Sequence, residues 1–350
     1  MTGRCSTANL RYPTAAQWRS WRAVRGRWLG SARDGDLGGR DLAIFDAGEN
    51  AGSRVLVALD GISSTLTSAL LRPAEVLRSR DVGVVLLAPS RLGEALTARG
   101  FIHRVRMSPT HLPELDLRAV LASQHCAGAG ALAWEIASGR QLEYCVVQHG
   151  VITPFAPPLP PQSRVFAWSE DDAQFWSEGS ADVQITITGS QLLWEARRLS
   201  GNPVRAVETA CFLGQLHGPE LDRRVTSRTI AGLRRMTEVL YRPHPDEVDL
   251  RSRAEHLIWR ARGVQFISGK TPLAQAVNDR KVVGVYSTGI LEAAAAGHEA
   301  FAYCIEPPEW VRDLWVRYAM APYGEGAGTV VEVPVDEPAL RIADEIVALL

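Results

Sequence analysis

Short, unbroken apolar runs recur along this chain with room for a helix between them, and no other feature constrains the fold as much. Residues 54–59 read RVLVAL, residues 82–88 VGVVLLA and residues 282–286 VVGVY. A strand wetted on one side alternates apolar and polar residues, whereas a run that is apolar at every position is covered on both faces. Further strand-like runs fall at 42–45, 119–121, 142–148, 164–168, 184–188, 204–213, 238–241, 264–267, 300–304 and 329–333. Helical stretches separate them, at 65–80, 128–138, 171–177, 191–199, 227–236, 247–260, 272–278, 290–296, 309–320 and 338–350; Pro73 must break or restart the first. Strand and helix in alternation predict parallel sheets with helices on both sides, the doubly wound α/β class.

A chain of 350 residues exceeds one ordinary core. Turn chemistry at Ser200-Gly-Asn-Pro203 follows a predicted helix end and places the break there. The expected organisation is a basic N-terminal arm or helix at 1–40, a Rossmann-like domain at 41–200 and a second at 201–350. Hydrophobic content of 46% with 22% charged residues is that of a soluble globular protein, and a net charge of -1 gives no reason to expect nucleic acid as partner. Cys5, Cys126, Cys145, Cys211 and Cys304 are scattered without a CxxC pair, so neither a disulfide framework nor a zinc site is expected. With no apolar N-terminal signal region and no run long enough to span a membrane, the reading is a cytoplasmic protein.

Charge is uneven at the start. Residues 1–40 carry eight arginines against Asp34 and Asp36, with Trp18, Trp21, Trp28 and Leu29 at helical spacing. Either this helix docks its tryptophans on the domain and turns its arginines to water, or the stripe meets an anionic membrane as a peripheral contact. The loop 151–162, VITPFAPPLPPQ, has five prolines that exclude helix and central strand. It reads as a stiff rim beside a pocket, or else as a linker between domains.

Ligands of open parallel sheets bind beyond the carboxyl ends of the strands, where loops and helix N-termini converge. That rule selects Asp60-Gly61, His149-Gly150, Gly189-Ser190, Gly214-Gln215, Arg242 with His244-Pro245, and Ser287-Thr288-Gly289, which are expected to face one cleft. Ser287 and Thr288 open a helix whose N–H groups and dipole favour an anion, and Glu292 follows one turn in. Plain N-capping by Ser287 and a surface position for Glu292 are the structural alternatives. No DxD pair or Walker-type glycine loop lies in a suitable loop, so neither a bound metal nor a cofactor is expected.

In the order and spacing of these loops, residues 50–335 resemble the GT-B glycosyltransferases, in particular the branch using cytidine nucleotides: bacterial sialyl- and polysialyltransferases and the CDP-glycerol glycerophosphotransferases. His244-Pro245 matches that branch's His-Pro pair after a second-domain strand, and Ser287-Thr288 its later Ser/Thr pair. Asp60-Gly61 is similar to the acidic-Gly motif of the sialyltransferases, with Leu59 where a second acid stands. Gln148-His149-Gly150 is similar to the Trp-His-Gly of the glycerophosphotransferases, with Gln for Trp.

The resemblance implies two Rossmann-like domains facing a cleft and metal-independent, inverting transfer from a CMP- or CDP-linked donor to a surface-glycan or other glycoside acceptor. His149 or Asp60 would be the base and His244 would stabilise the leaving phosphate, while Arg242, Ser287, Thr288, Gly289, Glu292, Gly214 and Gln215 would hold the nucleotide. The alternatives are an enzyme like UDP-N-acetylglucosamine 2-epimerase, or a non-catalytic scaffold that binds a nucleotide sugar.

Overall fold

The structure is a computed structural model that describes residues 9–29, 41–46, 54–104, 109–178, 180, 182–199, 207–216, 220–245, 247–269, 273–277 and 280–350. The strands are β1 (Leu42–Asp46), β2 (Arg54–Ala58), β3 (Gly83–Pro89), β4 (Ile102–His103), β5 (Leu117–Ala122), β6 (Glu143–Val147), β7 (Arg164–Ala167), β8 (Gln184–Ile187), β9 (Val207–Leu213), β10 (Val239–Arg242), β11 (Gln265–Phe266), β12 (Arg280–Gly284) and β13 (Ala300–Ala302). They form two sheets, and the chain divides into two compact units. The first comprises residues 1–21, 36–192 and 334–350, and the second residues 22–35 and 193–333.

The first unit holds an eight-stranded sheet in the order β4-β1-β3-β2-β5-β6-β7-β8. From β3 to β8 all pairings are parallel, while β1 runs antiparallel to both β3 and β4. The sheet has a core on each face, as fully apolar strands require. Val55, Val57 and Leu59 enter one core with Ala69, Cys145, Val147 and Ile342. Leu56 and Ala58 enter the other with Ala129, Ala133 and Val146. Pro73 sits in the first turn of the helix Arg72–Ser79, where its missing N–H costs little, directly after a π-helical turn at Thr67–Leu71.

The helix Pro338–Val347 belongs to this first unit, whereas the sequence assigns residues 338–350 to the second domain. Its apolar face supplies Ala339, Ile342, Ala343 and Ile346 to the first core. Ion pairs Arg72–Glu337 at 2.9 Å and Arg164–Glu345 at 3.4 Å border that contact. The expected break at 200–203 lies outside the described residues, and the compact units part at 192/193 instead.

The N-terminal helix Ala15–Leu29 buries Trp18 and Trp21. Trp18 Nε1 donates to the Phe155 carbonyl at 2.9 Å, and Trp21 stacks on Phe155 with centroids 5.3 Å apart. These two side chains are thus docked on protein, which removes them from the expected membrane stripe; the side chains of Trp28 and Leu29 lie outside the described residues. The proline-rich loop is what they dock on. It joins β6 to β7 within one sheet, so it is no linker, and with Phe155 and Leu159 buried it is packed down.

The second unit has a five-stranded, wholly parallel sheet in the order β11-β10-β9-β12-β13. Numbered from its first strand this is 3-2-1-4-5, the order whose switch point lies between strands one and four. Residues 329–333, expected as a strand, are coil. Of these, Thr329 N still donates to the Ala300 carbonyl of β13 at 2.8 Å, while the next part of that edge is taken by residues 321–323, through Ala302 N to Ala321 O at 2.8 Å and Tyr323 N to Ala302 O at 2.9 Å.

Candidate functional site

In the second unit the switch point falls between β9 and β12, so the loops after Leu213 and Val285 flank it. The predicted residues collect at this end of the sheet. Gly214 and Gln215 follow β9, Arg242 ends β10 with His244 just beyond, and Ser287, Thr288 and Gly289 follow β12. Gln215 Oε1 accepts from the Tyr286 backbone N–H at 3.1 Å, fastening the two flanking loops to each other. Ser287 caps the helix Thr288–Ala295 by accepting from Gly289 N at 3.2 Å, which leaves its hydroxyl proton to donate elsewhere.

Two glycines are there because nothing larger fits. A Cβ on Gly214 would collide with the Tyr241 hydroxyl and stand 2.6 Å from Glu247 Oε1, and one on Gly289 would stand 2.8 Å from Leu213 Cδ1. Beneath the loop, buried Glu247 accepts from Leu216 N at 3.0 Å, from the Tyr241 hydroxyl at 2.9 Å and is paired with His256 Nε2 at 2.9 Å. The His244 carbonyl in turn accepts from Glu247 N at 2.9 Å. One carboxylate therefore holds the β9 loop, the β10 strand and the following helix in register. Sequence reasoning passed over it, since an acid opening an expected helix at 247–260 looks like any solvated one.

Two more acids lie at this end. Glu292 is half-buried rather than on the surface, and burial pushes its carboxyl up to about 7, with Arg242 pulling it back and Glu195 adding to the rise. Glu220 is likewise raised by burial and drawn back by a hydrogen bond from the Tyr286 hydroxyl at 3.0 Å. Near neutrality Glu292 therefore carries less negative charge than an ordinary glutamate, and the nearby Arg242 guanidinium donates to the Gly269 carbonyl at 3.3 Å. The balance at this strand end favours an anion.

The first unit separates the two candidate bases. Asp60 follows β2, which borders β5 at that sheet's own switch point. Its Oδ1 accepts from Ala129 N at 2.7 Å and its Oδ2 from Gln124 Nε2 at 3.0 Å. Ala129 lies in the first turn of the helix Gly128–Arg140, so Asp60 caps that helix from a neighbouring strand. Gly128, at φ +57°, lets it approach, since a Cβ there would overlap the carboxylate. Burial raises the Asp60 pKa, opposed by the hydrogen bonds from Ala129 and Gln124.

His149 follows β6 and shares its strand parity with Cys145 and Val147, which belong to the other core from that of Ala129. The two residues thus address opposite faces of the sheet. His149 lines a recess of about 230 Å³, counting its open mouth, with Thr65, Trp168, Ser190 and Gln191. Its enclosed part amounts to only about 10 Å³, room for about one water molecule or one hydroxyl group. Burial lowers the His149 pKa to about 4, leaving the imidazole neutral near pH 7 with a nitrogen able to accept a proton.

The Gln148 that stands in place of Trp organises this loop. Its Nε2 donates to Asp172 Oδ2 at 2.8 Å and to the Gly150 carbonyl at 3.1 Å, while its Oε1 accepts from Trp168 N at 2.8 Å. The signal was available in the sequence: a long polar residue closing an apolar run has to be satisfied by something. Among the described residues no group of three His, Cys, Asp or Glu side chains gathers as a metal site, and no helix is long and apolar enough to cross a membrane.

No protein-family model matches this chain, and no curated protein does. Among solved structures it is similar to Anabaena Alr3699/HepE in complex with UDP-glucose, at 12% identity over 84% of this chain and 89% of that one, TM-score 0.44. It is also similar to UDP-glucose: anthocyanidin 3-O-glucosyltransferase in complex with UDP, at 8% identity over 86% and 94%, TM-score 0.42. A UGT transferase from Siraitia grosvenorii in complex with UDP gives 11% identity over 85% and 90%, TM-score 0.42. These TM-scores fall below one half, a degree of likeness that carries no argument for activity.

Proposed function

We propose that this chain is a glycosyltransferase of the GT-B kind, whose second unit binds a nucleotide-activated donor at the β9/β12 switch point and whose first unit supplies the base. The observation that carries the reading is the gathering of Gly214, Gln215, Arg242, Ser287 and Glu292 at that one strand end. Arg242, His244 and the Ser287 hydroxyl would offset charge on the donor phosphates, and Glu292 would take the ribose hydroxyls. His149 is the better base: its imidazole is neutral and lines a recess, whereas both oxygens of Asp60 are already engaged, one by Ala129 N of the helix Gly128–Arg140 and the other by Gln124 Nε2. An acceptor hydroxyl gives its proton to His149 as its oxygen attacks the donor's anomeric carbon, and the bond to the leaving phosphate breaks with its electron pair on phosphate. The configuration inverts.

By resemblance of its motifs the donor is a CMP- or CDP-linked unit, passed to a surface-glycan or other glycoside acceptor. Isothermal titration of the full chain with CMP, CDP, UDP and GDP tests this. Tightest binding of CMP or CDP is expected; preference for UDP overturns the cytidine assignment and turns attention to a UDP-sugar transferase or epimerase. The use of Asp60 as a cap favours one further reading, a scaffold that binds nucleotide sugar without turnover, and nucleotide binding with no transfer to any glycoside would select it. Absence of all nucleotide binding would remove both.

A further inference from the structure

The helix Leu250–Ala261 in the second unit is amphipathic in the reverse of the usual sense. Ser252, His256 and Trp259 form its buried face. At 100° per residue they centre roughly 180° away from Leu250, Ala254, Leu257, Ile258 and Ala261, which line up along the outer face. All five are exposed, Leu250 to 81%, Leu257 to 65% and Ile258 to 49%. Val248, just before the helix, is exposed to 50%. Single exposed aliphatics are ordinary, but a stripe of large ones at i, i+7 and i+8 on one helix is a surface that water does not favour.

Charge says what kind of surface it fits. Arg253 and Arg260 flank the stripe on one side, Arg251 and Arg262 on the other, and all four are exposed. The Arg260 guanidinium lies 4.2 Å from the centroid of Phe266, which holds it at the border of the stripe. Of the acids nearest in sequence, Asp249 and Glu255 both pair with Arg223, at 3.2 and 3.7 Å, Glu255 also interacting with Arg251, and Glu247 is buried with His256. An apolar ridge between two basic margins suits an anionic lipid surface, with aliphatic side chains entering the acyl boundary and guanidinium groups meeting the phosphates. A second copy of the same helix would set these arginines against each other.

We infer that the helix Leu250–Ala261 is a membrane-docking surface that seats the second unit on anionic lipid. This contact is separate from the N-terminal helix, whose Trp18 and Trp21 are spent inside the first unit, and it does not depend on the transfer reaction proposed above. Val248 and Leu250 also follow directly from the His244-Pro245 loop, so docking would hold that loop near the lipid surface.

Co-sedimentation of the full chain with vesicles tests the inference, using phosphatidylcholine alone and phosphatidylcholine with phosphatidylserine at roughly 2:1. Binding is expected to the mixed vesicles, little to phosphatidylcholine alone, and release by salt. The double variants L250Q/L257Q and R253Q/R262Q should each weaken binding by about tenfold or more, with unchanged circular dichroism, because these side chains face solvent. V316Q, replacing a residue 82% exposed on the helix Glu309–Arg317, should bind as the wild type does. Failure of the wild-type chain to bind mixed vesicles, or full binding by either double variant, overturns the assignment. So does a wild-type dimer in size-exclusion chromatography that L250Q/L257Q converts to monomer, which would give the stripe to a second copy of the chain.

Discussion

Replacing Glu292 with Gln separates its cost to the fold from its use to a ligand. Burial raises this carboxyl from its ordinary 4.5 to about 7. The folded chain therefore holds a proton that the unfolded chain has released at every pH between those values. The carboxyl's contribution to stability is fully present below about 4.5 and is lost as pH climbs through about 7. At about 1.4 kcal/mol per pH unit the whole loss has a ceiling of about 3 kcal/mol, reduced to about 2 kcal/mol because solvent reaches the half-buried group.

Glutamine has the same shape and no charge to desolvate. Glu292→Gln is expected to match the wild type in urea denaturation at about pH 4.5 and to exceed it by about 2 kcal/mol at about pH 8. An equal offset at both values would refute the desolvation argument. Nucleotide titration on the same variant reads the other half: loss of a charged acceptor for ribose should weaken CMP about tenfold. Unchanged affinity would leave Glu292 a buried acid with no place in the site.

The remaining expectations concern neighbouring residues. Gly214→Ala should destabilise the chain by about 1–3 kcal/mol in urea melts, because its Cβ must displace Tyr241 or Glu247, and an unchanged melt would mean the loop simply yields. Glu247→Ala should cost about 3 kcal/mol and weaken nucleotide binding, since it strands Leu216 N, the Tyr241 hydroxyl and His256; tight binding in the variant would show the loop is held otherwise. Asp60→Asn should lower stability by about 1 kcal/mol yet retain transfer, and lost transfer with a normal melt would return the role of base to Asp60. His149→Ala should abolish transfer while sparing donor binding. In the wild type the acid limb of kcat/KM should fall near pH 4, where His149 protonates, and a limb near pH 6.5 would contradict its burial.

Where sequence sufficed and where it failed has a physical pattern. RVLVAL and VGVVLLA announce buried parallel strands because every position must be covered, and β2 and β3 stand there. The direction of β1 was not legible, since an apolar run carries no mark of the strand it pairs with; its antiparallel pairing ends at Asp46, which Arg54 and Arg104 neutralise at 3.0 and 3.4 Å. The helix Pro338–Val347 shows an apolar face in its sequence but not the sheet that will receive it. The choice between Asp60 and His149 was half legible. Counting along each strand puts Asp60 with Leu56 and Ala58, and His149 with Cys145 and Val147, but only the topology says these parities meet opposite cores.

The two switch points explain why the same chemistry should not occur at both. Each unit offers a helix N-terminus there, and a helix N-terminus attracts negative charge. In the first unit that place is filled by the chain itself: the Asp60 carboxyl accepts from Ala129 N, and Gly128 has been kept small and at positive φ to admit it. A phosphate approaching the helix Gly128–Arg140 would meet a carboxylate in its place. In the second unit the corresponding cap is Ser287, neutral and still able to donate its proton, with Arg242 at the end of the strand beyond β9 and Glu292, whose charge burial suppresses. One substitution tests the contrast. Ser287→Asp would still cap the helix Thr288–Ala295, and a carboxylate is at least as good a cap as a hydroxyl, so the melt should hold or rise. Nucleotide binding should fall by about tenfold or more as that carboxylate occupies the dipole meant for phosphate. A variant that is as stable as the wild type and binds CMP equally well would show that phosphate does not sit at this helix.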